Sequence, residues 1–159
     1  MPVSGSANPN ELRAGGAGIP AFFTPAGVGS PVADVGLPWR YHPDGSVAIA
    51  SPPKETRVFD GKRYVLETAI TADVALIHAR LGDTHGNLVF HKTAMNFNPL
   101  AAMAGRLTIA QVERLVEPGD IGPAQVHLPG IFVQRIVETG LQHTAIEKRT
   151  THEMERART

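Results

Sequence analysis

Seven histidines bring metal chemistry to mind first, and their densest group is His78, Asp83, His85 and His91. Imidazole and carboxylate are good zinc or iron ligands. However, no HExxH or HxH pair sets two nitrogens on one face, and His85 sits in turn chemistry that explains it without a metal. His78 falls in a buried-type strand and reads as a hydrogen-bonded core or interface residue. No metal site is expected. A nucleophile is equally hard to find: there is no cysteine and no Gly-x-Ser-x-Gly elbow. None of the nine glutamates lies in a glycine-rich turn that would present it to a substrate. Glu113 and Glu117 share a face only if their segment is helical, and a solvated face accounts for them.

Binding groups remain. Residues 15 to 30, GGAGIPAFFTPAGVGS, hold five glycines and two prolines around Ile19, Phe22 and Phe23. This reads as a loop whose bare backbone approaches a ligand with two phenylalanines as a wall, or as a surface connection with two anchoring aromatics. It matches neither GxxxxGK(S/T) nor a GxGxxG leading from a strand, so it is not read as a phosphate cradle. In Asn96-Phe97-Asn98-Pro99, Asn98 reads as a helix N-cap. Asn96 has no structural duty; it is free to meet a ligand oxygen or to tie down the turn.

The elements that must position these groups centre on residues 73 to 106. Val74 to Ile77 is apolar at every position, as a strand buried on both faces requires. Gly82-Asp83 and His85-Gly86-Asn87 supply turn chemistry, Leu88-Val89-Phe90 a second short strand, and Leu100 to Ala104 a short Ala-rich helix. Earlier, Met1 to Asn10 reads as a disordered start, and Glu11 to Ala14 as the last turn of a helix stopped by Gly15-Gly16. Trp39-Arg40-Tyr41 and Val47 to Ala50 flank Pro43-Asp44-Gly45, and Val58-Phe59 and Arg63 to Glu67 flank Asp60-Gly61. These are two hairpins, together a small antiparallel flap on a parallel sheet. Leu107 to Val116 suits a strand better than a helix, Ile131 to Val137 reads as a last strand, and Thr139 to Thr159 as a charged tail. The fold class is α/β.

With 159 residues and 42% hydrophobic content, one domain with a proper core is expected. Net charge is zero, with no basic stripe, so nucleic acid is not an expected partner. No apolar run reaches membrane-spanning length and no signal-peptide pattern opens the chain. A cytoplasmic location is the default expectation.

Four ordered blocks carry a resemblance. RAGGAGIPAFFTPAGVG (13 to 29), DGSVAIASPPKETRVFDGKRYVLE (44 to 67), GNLVFHKTAMNFNP (86 to 99) and HLPGIFVQR (127 to 135) resemble the A (alpha) subunit of family I CoA-transferases, in particular those of the succinyl-CoA:3-ketoacid (3-oxoacid) type. The likeness runs in order from Leu12 to Val137, which sets a domain resembling the A (alpha) subunit at 11 to 138. It implies transfer of coenzyme A from succinyl-CoA to a 3-oxoacid such as acetoacetate, with the CoA thioester as substrate and no separate cofactor. In such enzymes a glutamate forms an acyl anhydride and then a glutamyl-CoA thioester. That glutamate lies in the B (beta) subunit, which is therefore the expected partner, and no residue here is the nucleophile. Substrate contact is expected from Gly16, Gly18, Phe22, Phe23 and Thr24, then from Asn96 and Asn98, in shape and orientation roles.

Two departures qualify the resemblance. Such A subunits carry a longer N-terminal portion, with a glycine-rich loop and the first strands, before the RAGGAG block; Met1 to Asn10 stand in its place. A truncated gene, a misplaced start codon or a degenerate copy would give this. An incomplete domain is therefore expected, with an exposed sheet edge and apolar faces that make the chain sticky or partner-dependent on its own. Second, His91 and Met95 stand where related sequences commonly have arginine, leaving Lys92 as the local cation. The alternatives are a non-catalytic remnant that serves a B subunit structurally, part of a 3-oxoadipate CoA-transferase, and an independent small-molecule binding module.

Overall fold

The computed structural model describes residues 8 to 34 and 36 to 141. Its largest sheet has the order β7-β6-β8-β9. β6 (Ala72–Asp83) and β8 (Gly105–Val116) are parallel partners along nearly their whole length, and β9 (Arg135–Glu138) runs parallel to β8. β7 (Leu88–Val89) pairs antiparallel with the end of β6. Parallel neighbours need a crossover, and α2 (Asn98–Ala104) supplies it on one face of the sheet. Ile77, Ala79, Leu88, Phe90, Ala102, Ala110, Val112 and Leu128 form the core between them.

The apolar run in β6 was read as buried on both faces, and among the described residues only one face is covered. Ala75, Ile77 and Ala79 point into the core, while Val74 is 49% and Leu76 is 75% exposed. Ile109 of β8, in register with Leu76, and Val137 of β9 continue that open face. Period-two alternation of burial is what one covered face produces.

Two antiparallel units stand apart from this sheet rather than forming one flap. β2 (Pro38–Tyr41) and β3 (Val47–Ala50) form one hairpin. β4 (Thr56–Phe59) and β5 (Lys62–Thr68) form the other, reversing at Asp60 (φ 49°) and Gly61 (φ 74°), the left-handed pair that a tight hairpin turn demands. To β5 is added β1 (Ala21–Thr24), which the loop reading of residues 15 to 30 missed. Four residues between Pro20 and Pro25 carry little periodicity of their own; β5 sets their register.

Three further readings need correction. Asn8 to Asn10, expected to be disordered, open α1 (Pro9–Gly16). The Asn8 side chain accepts the Asn10 amide and Glu11 Oε2 accepts the Asn8 amide, so the helix carries its own capping box. Asn98 is inside α2 and its side chain does not cap it. Its Oδ1 accepts the His78 amide at 2.9 Å and its Nδ2 donates to the Ala94 carbonyl, which ties helix to strand. The last strand begins only at Arg135, because Gly130–Phe132 winds a 3-10 turn first. Residues 1 to 7 and 142 to 159, with most of the charged tail, lie outside the described residues.

Candidate functional site

α1 places Asn10, Arg13 and Ala14 at helical spacing on one face, turned toward β1. β1 is the edge strand of its sheet, β5 holding its other side. Between helix and strand lies a cleft of about 280 Å³, lined by Asn10, Arg13, Ala14, Ile19, Phe22, Phe23 and Thr24. Phe23 is held from behind: Phe59 packs edge-on against it at 5.4 Å and the Arg57 guanidinium lies 5.0 Å from its ring centre. Thr24 is buried, and its hydroxyl oxygen accepts the Ala26 amide. The cleft thus combines the apolar side chains of Ile19, Phe22 and Phe23 with the Asn10 amide, the Arg13 cation and the Thr24 hydroxyl.

Of the residues expected to meet substrate, Phe22, Phe23 and Thr24 are brought together here. The glycines act differently. A Cβ on Gly16 would sit 2.6 Å from the Met103 Cβ, and one on Gly15 would overlap the Ile70 carbonyl. Gly16 lets α1 lie close on α2, and Gly15 lets it lie against the Ile70 backbone between β5 and β6. Gly18 (φ 71°) has open space around it and turns the chain out of the helix. Neither Asn96 nor Asn98 lines this cleft. Asn98 borders a second cavity of about 460 Å³ on the open sheet face, with Leu76, His78, Ile109, Gln111 and Val137. Asn96 is exposed.

Behind the cleft is a charged group that sequence reasoning missed. Glu67, opposite Phe22 in the β1–β5 ladder, is 7% exposed and Glu11 is 8% exposed. Lys54 Nζ donates to both Glu67 oxygens, at 2.6 and 2.7 Å. Burial pushes the Glu11 carboxyl above its ordinary value, opposed by the Asn8 amide and reinforced by the neighbouring Glu67 charge. Forty-three residues separate Lys54 from Glu11 and thirteen from Glu67, so no local spacing announces the group.

The histidine set is not assembled. Asp83 spends its carboxylate on the His85 and Asn87 amides and the Asn87 side chain, fixing the turn. His78 Nε2 lies 3.9 Å from Glu113 on the open face, and among the described residues no three His, Asp or Glu side chains gather into a ligand set. No helix among the described residues is long and apolar enough to cross a membrane.

Residues 10 to 139 match the family model described as Coenzyme A transferase. The chain belongs to the coenzyme A transferase family. It is 61% identical over 143 residues to the A subunit of a probable succinyl-CoA:3-ketoacid coenzyme A transferase of Mycobacterium tuberculosis, covering 90% of this chain and 58% of the relative. It is 47% identical to the corresponding Bacillus subtilis protein, again covering 90% of this chain and 52% of the relative. The chain thus spans little more than half the length of these relatives. A crystal structure of an acyl-CoA transferase apoenzyme from Escherichia coli O157:H7 superposes with a TM-score of 0.65 at 26% identity, covering 82% of this chain and 26% of that one. This likeness bears out the α/β class and the parallel sheet.

Proposed function

We propose that the chain forms part of the A subunit of a 3-oxoacid CoA-transferase, which moves coenzyme A from succinyl-CoA to a 3-oxoacid such as acetoacetate. The observation that carries this is the 61% identity over 143 residues to a relative named for that activity. The cleft between α1 and β1 is its contribution to the acyl-binding wall, through Phe22, Phe23 and Thr24, with Gly16 and Gly18 shaping the backbone behind them. Asn98, which borders the second cavity, and the exposed Asn96 are a second candidate contact, set apart from the cleft. Among the described residues the cleft lining contains no carboxylate, and the two nearby glutamates are buried and engaged, which agrees with a nucleophilic glutamate carried by a B subunit. The CoA thioester is substrate, and the protein is read as cytoplasmic, with a domain spanning residues 11 to 138.

The test is co-expression with the B subunit of a CoA-transferase, co-purification, and an assay of CoA transfer from succinyl-CoA to acetoacetate. A stable complex with turnover is expected. A stable complex that never transfers CoA, under conditions in which a full-length A subunit does, would make the chain a structural partner instead.

A further inference from the structure

We propose that Arg13 binds the carboxylate of the acyl substrate in the cleft between α1 and β1. The inference rests on the reading of that cleft as part of the acyl-binding wall. Among the described residues Arg13 is the one charged side chain that lines it. Among the described residues its guanidinium has no ion-pair or hydrogen-bond partner, which it shares with Arg40, Arg63, Arg80 and Arg114; of these arginines only Arg13 lines the cleft. A planar fork of donors at the rim of an apolar cleft is suited to a carboxylate, which it grips through two parallel hydrogen bonds.

The surroundings favour an anion and limit its size. At the end of α1 the carbonyls of Arg13, Ala14 and Gly15, which would repel it, already accept the amides of Ala17, Gly18 and Ile19. The acidic neighbour in sequence, Glu11, points away and is buried beside Glu67 and Lys54. Ile19, Phe22 and Phe23 offer a body of apolar surface for a short carbon chain. A volume of about 280 Å³ lies at the small end of ligand sites; it admits an acyl end and not a nucleotide. The ligand class is therefore a short carboxylic acid with an uncharged acyl body.

The test uses the complex with the B subunit and measures binding directly, by calorimetry or ligand-observed NMR, for acetoacetate and for its neutral methyl ester. Arg13→Gln is expected to weaken acetoacetate binding about tenfold to a hundredfold, the range of a hydrogen bond to a charged group, and to leave the ester unaffected. Arg13→Lys should keep part of the affinity, and Arg106→Gln all of it. Arg13 is exposed, so the variants should melt as the parent does. Equal acetoacetate binding by the parent and Arg13→Gln would overturn the role of Arg13 and leave the wall reading standing. Loss of the ester along with the acid would also overturn it, since Arg13 would then shape the cleft. Failure of the parent complex to bind either probe would refute the wall reading and the inference together.

Discussion

Replacing Lys54 with methionine keeps the apolar stem and removes the only cation bonded to the buried Glu67 among the described residues. Glu67 is 9% and Lys54 25% exposed at the side chain, and Glu11 lies close enough to exchange charge repulsion with Glu67. Breaking a buried ion pair from one side costs about 3–5 kcal/mol, because the remaining charge is left in low dielectric. The partial exposure of Lys54 puts the expected loss near the lower end, about 3 kcal/mol. The pH dependence has a definite sign. The folded Glu11 carboxyl titrates above its ordinary 4.5, mainly through burial. The folded chain therefore holds this proton more tightly than the unfolded one. The stabilising contribution of the protonated form is complete below the unfolded value and is lost as pH rises through the folded one. Lys54 is one of the groups holding that value down. Its removal raises the value further, so the deficit of Lys54→Met should shrink between about pH 7 and about pH 5. Urea unfolding followed by far-ultraviolet circular dichroism at both pH values measures it, and adding Glu67→Gln should restore most of the loss. A loss under about 1 kcal/mol, or one that does not change on acidification, would refute the reasoning.

Two other substitutions probe how the site is built. Gly15→Ala should destabilise by about 3 kcal/mol, the upper range for overpacking, because its Cβ would meet the Ile70 backbone; a urea midpoint equal to the parent's would show that α1 does not need its close approach to the segment between β5 and β6. Asn98→Ala should cost about 1–3 kcal/mol by stranding the His78 amide, while Asn96→Ala stays within about 0.5 kcal/mol. If thermal melts show Asn98→Ala to be as harmless as Asn96→Ala, the strand-to-helix tie carries no weight.

The legible parts of this fold are those where local chemistry decides. Asp60-Gly61 announced its hairpin because few residue pairs accept two left-handed conformations, and Val74 to Ile77 announced its strand by being apolar at every position. Leu107 to Val116 resolved as a strand because its parallel partner β6 enforces it. What sequence concealed was decided by partners far away along the chain. β1 is a strand only because β5 pairs with it. Asn98 looked like a cap by its place before Pro99, but its amide reaches the β6 backbone instead. The site followed the same pattern. Phe22 and Phe23, which line the cleft, stood out as aromatics in a glycine-rich stretch, whereas Arg13 was visible only as the opening letter of that block, and its spacing from Asn10 gained meaning once α1 was known to start at Pro9. Gly15 and Gly16 were read as permissive backbone, and they instead make room for Ile70 and Met103.

If this chain shapes an acyl site while the covalent chemistry belongs to a partner, the two roles can be separated on one sample. The direct test is to mix the complex of this chain and a B subunit with succinyl-CoA, quench, and locate the CoA thioester by peptide mass spectrometry. The adduct is expected on a glutamate of the partner, with every peptide of this chain unmodified. A CoA adduct on Glu11, Glu67 or any other glutamate of this chain would contradict the assignment.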